Sequence, residues 1–196
     1  LVGTERAVRC VSATSHRWDE VTPTDTRQPF TFALLARVAS NVLTTTFLLG
    51  KATVGGSSQD TTGIVIHDSS GVPTLRLRHG SGSAGTVADF APFTRNEWSL
   101  IVFSGDGSGG MRMRYNGRPC CALRPTAWDL TATIPASTPF SLGSQSVSAN
   151  AFSADADIAA VMGWRGTDLL RPAGLAKVRR LEAYFARVYG VPIKSL

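Results

Sequence analysis

Glutamate is nearly missing from this chain. Among 196 residues only Glu5, Glu20, Glu97 and Glu182 occur, and no two of them are near neighbours. Glycosidic hydrolysis places two carboxylates on either side of the scissile bond, about 5–5.5 Å apart for retention. No strand here carries such a glutamate pair, so the chain reads as non-enzymatic. Asp155 and Asp157 alternate on one strand face but lack a glutamate partner. Histidine is equally sparse: His16, His67 and His79 share no metal-ligand spacing. No Gly-x-Ser-x-Gly elbow marks a nucleophile.

Cysteine is scarce as well. Cys10, Cys120 and Cys121 make an odd count with one adjacent pair, which is no disulfide framework. Adjacent cysteines reach disulfide geometry only with strain, and a metal site wants wider spacing and more ligands. All three read as thiols of a reducing compartment, small apolar residues first and reactive groups second. No apolar run approaches the roughly 18 residues of a membrane span, and no charged start leads into an apolar stretch with a cleavage site. Lysine is confined to Lys51, Lys177 and Lys194, so the net charge of +6 rests on arginine. The arginines are scattered rather than clustered, which argues against nucleic acid as a partner.

What the chain does have is glycine, 19 residues of it, and short alternating strands. Residues 98–119, WSLIVFSGDGSGGMRMRYNGRP, read as an apolar strand, a glycine-rich reversal, a period-two strand and an Asn116-Gly117 turn. That dipeptide suits the positive φ values of a type I′ turn. The reversal joins two strands, and a phosphate cradle needs a following helix N-terminus. Further strands are expected at 8–15, 30–38, 45–51, 63–67, 74–79, 86–91, 120–123, 140–142 and 158–164. From Arg171 the period changes. Leu175, Val178, Leu181, Phe185 and Val188 mark one face of a closing helix, with Asp168 as its N-terminal cap or charge and Gly190 before Pro192 as its stop. A single domain over 1–196 is expected.

The sharpest candidate surface is made of arginines. Arg76 and Arg78 alternate with Leu75 and Leu77, and Arg112 and Arg114 alternate with Met111 and Met113. If the two strands share a sheet, four guanidiniums line one solvent face and could hold an anionic glycan, a carboxylate-rich neighbour or nucleic acid. The simpler reading is the polar outer face of a half-buried sheet. Trp18 and Trp128, in RWDE and AWDL, are the loop tryptophans that could stack on a sugar or a partner.

Taken in order, seven segments resemble the concanavalin A-like lectin/glucanase superfamily in its laminin-G-like branch. They are FTFALLARV, TTFLLGK, NEWSLIVF, MRMRYNGRP, TPFSLGSQ, FSADADIAAVMGWRG and the closing LEAYFARVYGVPI. The resemblance implies an all-β fold, a two-sheet antiparallel jelly-roll sandwich with a short C-terminal α-helix. Laminin-G-like domains that end in this helix often occur in bacteriophage virion proteins. So the resemblance implies a virion protein, assembled in the host cytoplasm, that serves as a capsid decoration, fibre or tail adhesion module through other virion proteins, itself or a host glycan. The alternative it implies is a carbohydrate-binding module. Many relatives hold calcium, which makes Asp155 and Asp157 candidate ligands; but Ala156 and Asp157 occupy the matching strand start, so no ligand transfers. A solvated strand end, with no cofactor, is expected instead.

Overall fold

The computed structural model describes residues 7–10, 18–19, 22–38, 46–52, 60–69, 72–81, 86–90, 93–123, 134–143 and 155–194. Two antiparallel sheets face each other. The first has the order β1-β12-β3-β8-β9-β10 and the second β2-β11-β4-β5-β6-β7. Their strands are β1 (Val8–Cys10), β2 (Trp18–Asp19), β3 (Phe30–Val38), β4 (Thr46–Ala52), β5 (Asp60–Ser69), β6 (Val72–Ser81), β7 (Thr86–Phe90), β8 (Ser99–Gly105), β9 (Met111–Tyr115), β10 (Arg118–Leu123), β11 (Ser141–Leu142) and β12 (Ala156–Arg165). A 3₁₀ turn at Pro172–Gly174 leads into α1 (Leu175–Tyr189). This is the expected sandwich with its closing helix.

Period two explains which side chains meet between the sheets. Phe30, Phe32 and Leu34 of β3, Ile64 and Ile66 of β5, Leu75 and Leu77 of β6, and Met111 and Met113 of β9 all point inward and are buried. Four phenylalanines form the centre. Phe32 stacks on Phe103 at 5.6 Å and tilts against Phe140 at 4.9 Å, while Phe30 meets Phe103 edge-on at 5.8 Å. Such pairs add to the area they bury.

A second core lies outside the first sheet. The alternate residues of its two central strands, Ala33 and Leu35 with Leu100 and Val102, pack against Val178 and Phe185 of the helix and against Leu169, Leu170 and Val191. The central strands of the first sheet are therefore buried on both faces, which is why β3 and β8 read as almost continuous apolar runs. Gly190, at φ 65°, ends the helix by donating its N–H to the Ala186 carbonyl.

Two helix expectations need correction. Val188 is 47% exposed, and Glu182 takes a buried place with Val178 and Phe185. The face turns because Glu182 meets a cation on the sheet beneath it. Asp168 does not cap α1; the helix N-cap is Gly174. The 3₁₀ turn intervenes, and Asp168 accepts the Leu170 N–H at 3.0 Å instead.

Asn116 and Gly117 have φ values of 46° and 86°, as a type I′ turn requires. The Asn116 side chain then accepts the Leu100 N–H at 2.8 Å, and its backbone pairs with Leu100 and Lys194. The turn thus ties β8 to the segment after the helix. Gly63 has a different reason to be glycine. A Cβ there would stand 2.2 Å from the Leu49 carbonyl oxygen, where β4 bulges between Phe47 and Leu49. Because the obstacle is backbone, Gly63→Ala is expected to cost about 1–3 kcal/mol, read as a lower urea midpoint with an unchanged slope.

Candidate functional site

The four arginines do not share a sheet. β6 belongs to the second sheet and β9 to the first, so the arginines separate into two pairs with different duties.

Arg112 and Arg114 point away from the inter-sheet core, toward the helix side. Arg114 is only 8% exposed. Its Nε donates to Glu182 Oε1 at 2.8 Å and its Nη2 to Oε2 at 3.2 Å, and Nη2 also donates to the Gly117 carbonyl. Arg112 Nη1 donates to Asp168 Oδ2 at 2.8 Å. Asp168 further accepts Ser104 Oγ at 2.6 Å and Arg171 Nε at 3.2 Å. These two arginines bind the helical segment to the first sheet. Arg114 is covered by the helix, whereas the Arg112 side chain remains 36% exposed.

Arg76 and Arg78 stand on the outer face of the second sheet, opposite the inward Leu75 and Leu77, and both are half-buried. In register across the sheet, Phe47, Val65 and Arg76 form one row and Gly50, Gly63 and Arg78 the next. The Phe47 ring lies over Gly50, since a Cβ there would stand 2.5 Å from the ring. Phe47 and Val65 are themselves buried on this face, and the Cα atoms of the two half-buried arginines stand about 7 Å apart along the strand. Burial, and then the neighbouring Arg76 charge, push the Arg78 guanidinium below its usual range.

Of the loop tryptophans, Trp18 opens β2 as backbone, while its side chain and all of Trp128 lie outside the described residues. The other candidates are already engaged. Asp157, expected to be solvated, is buried and pairs with Arg37 at 2.9 Å; Arg37 also lies over Trp98 at 4.9 Å. Among the described residues, no group of three or more His, Cys, Asp or Glu could hold a metal ion.

Asp106 explains the glycine-rich reversal. Its Oδ1 accepts the Ser108 N–H at 2.9 Å, the Ser108 hydroxyl at 2.8 Å and the Gly110 N–H at 3.0 Å. Burial works to raise this carboxyl, but those donors outweigh it and hold it below the usual range. The loop thus supplies its own anion, which removes these N–H groups from phosphate binding. Asp ahead of Gly-Ser-Gly-Gly was the signal in the sequence.

One cleft of about 460 Å³ opens between the sheets at the β12 edge. Phe32, Leu49 and Phe140 form its floor, with Asp19 and Arg165 among its lining residues. Both charges already serve the fold. Arg165 donates to the Thr22 carbonyl and to Thr24 Oγ1, and Asp19 accepts from the Ser141 hydroxyl.

Together the two sheets and the closing helix define a lectin-like β-sandwich. No family model matches the chain, and no curated protein matches it. Solved structures do. The CBM40 module of the Ruminococcus gnavus IT-sialidase, bound to α2,3-sialyllactose, matches with a TM-score of 0.59 at 13% identity, over 84% of this chain and 98% of the module. A mutant of NanB sialidase from Streptococcus pneumoniae matches with a TM-score of 0.59 at 11% identity, over 86% of this chain and 27% of that one. The Trypanosoma rangeli sialidase in complex with the inhibitor DANA gives 0.56 at 14% identity, over 80% and 23%. This chain thus spans about a quarter of the length of those sialidases. At these identities the likeness is one of fold.

Proposed function

We propose that this chain is a non-catalytic carbohydrate-binding sandwich that holds an acidic glycan on the outer face of the second sheet. The observation that carries the reading is the half-buried Arg76–Arg78 pair on the outer face of the second sheet, beside the buried Phe47 and Val65. A sialylated sugar presents a carboxylate, and guanidiniums bind carboxylates through paired, charge-assisted hydrogen bonds. The CBM40 likeness supports the same class, because that module is matched over nearly its whole length and holds a sialylated trisaccharide. The engagement of Asp157, Asp168 and Glu182 in ion pairs with arginines supports a role without catalysis. These likenesses carry the glycan-binding alternative; they give the laminin-G-like virion role no support.

Calorimetric titration tests it. Sialyllactose is expected to bind and lactose not, with affinity falling as salt rises. Arg76→Ala and Arg78→Ala should each weaken binding by about 10- to 100-fold, the worth of a hydrogen bond to a charged group. Equal binding of sialyllactose and lactose, or unchanged affinity in both variants, would overturn the reading.

A further inference from the structure

Cys120 and Cys121 pack against the inter-sheet core and form a unit that the proposed glycan face does not use. In a regular strand successive side chains point to opposite faces, so adjacent thiols diverge. β10 is irregular there. Its pairing with β9 shifts between Pro119 and Cys121, leaving Cys120 without a Cα partner. The bulge brings the two Sγ atoms to 3.9 Å, and Cys120 Sγ also donates to the Met113 carbonyl at 3.4 Å. Both thiols are half-buried. Both line a cleft of about 370 Å³ that Leu170 and Leu175 wall from the helix side.

A direct S–S bond fits this pair poorly. Disulfides prefer Cα atoms about 4.4–6.8 Å apart, whereas adjacent residues across a trans peptide hold theirs at about 3.8 Å. A third centre between the sulfurs fits well. With metal–sulfur bonds of about 2.3 Å, sulfurs 3.9 Å apart subtend roughly 115° at the bound atom. Thiolates select soft cations. Structural zinc wants four ligands, and among the described residues no cluster of three or more ligating side chains stands here. A centre satisfied by two or three ligands remains.

We propose that Cys120 and Cys121 are a two-thiol chelating site for a soft, thiophilic metal or metalloid centre of low coordination number. With a trivalent arsenoxide as probe, two As–S bonds form and the As=O bond is lost. The oxygen leaves as water with the two thiol protons, and no atom changes oxidation state.

Phenylarsine oxide added to the folded chain tests this. One adduct is expected by native mass spectrometry, with the reactive thiol count falling by two and release by a dithiol but not by a monothiol. Cys120→Ala and Cys121→Ala should each lose retention at least about 100-fold, the advantage of holding both ends at once. Cys10→Ser should keep it. Thermal melts of the variants separate lost binding from lost folding, and the wild-type thiol count decides the matter without any variant. Loss of only one thiol, or equal retention in the single variants, would overturn the proposal.

Discussion

Glu182→Ala is expected to destabilise the protein by about 3–5 kcal/mol, the largest effect of any single change considered for this chain. The reason is what it leaves behind. Arg114 is buried on the first sheet beneath α1, and Glu182 meets it with two parallel hydrogen bonds of 2.8 and 3.2 Å. Without the carboxylate a guanidinium remains in a poorly solvated place with only the Gly117 carbonyl as a remaining acceptor among the contacts described above. The pair itself is worth far less than that loss, because desolvating both ions offsets most of their attraction. Replacing both partners with apolar residues, Arg114→Met with Glu182→Leu, should therefore recover most of the stability. Urea unfolding of Arg114→Met, Glu182→Leu and the double variant measures this as a coupling energy. If Glu182→Ala unfolds within about 1 kcal/mol of wild type, the pair is solvated and the account of the helix contact is wrong.

Acid should unfold this protein through His79. The side chain is fully buried, facing inward from β6, with Nδ1 2.8 Å from the Thr62 hydroxyl of the neighbouring strand. Burial holds its pKa down at about 4, with Asp106 pulling weakly the other way. The unfolded chain takes up this proton below about pH 6.5, while the folded chain resists it until about pH 4. Between those limits the unfolded state binds more protons, so stability falls as pH falls. By pH 4 the loss reaches about 3 kcal/mol. Above pH 6.5 this group contributes no slope. Urea midpoints between pH 7.5 and 4 should trace that decline in wild type, and His79→Gln should flatten the part between 6.5 and 4.5. An equally steep profile in the variant would assign the acid sensitivity to carboxylates instead.

How far the sequence could be read depended on whether a local rule applied. Phe30–Val38 alternates between two apolar sets, and the structure places that strand at the same bounds. Asn116-Gly117 forms its turn for the backbone reason that the dipeptide carries. The Leu175–Tyr189 helix ends at Gly190, whose missing Cβ permits the left-handed stop. Alternation also placed Arg76 and Arg78 on an outer face. Alternation could not say which sheet each strand joins. Arg112 and Arg114 match Arg76 and Arg78 in pattern, yet helix contacts made from more than fifty residues away turn one pair into a clamp.

The adjacent cysteines mark the same boundary. A regular strand would send them apart, and only the slipped pairing of β9 with β10 sets their sulfurs together. Side-chain period, turn chemistry and helix stops act within a few residues, so the sequence by itself determined most of the strands, the turn and the closing helix, but not the two-residue β2; the sandwich class was what the resemblance implied. Sheet membership, the buried partner of Glu182 and the meeting of the two thiols depend on contacts between distant segments. Those contacts are chosen by burial and charge pairing across the whole chain, and only the tertiary structure decided them.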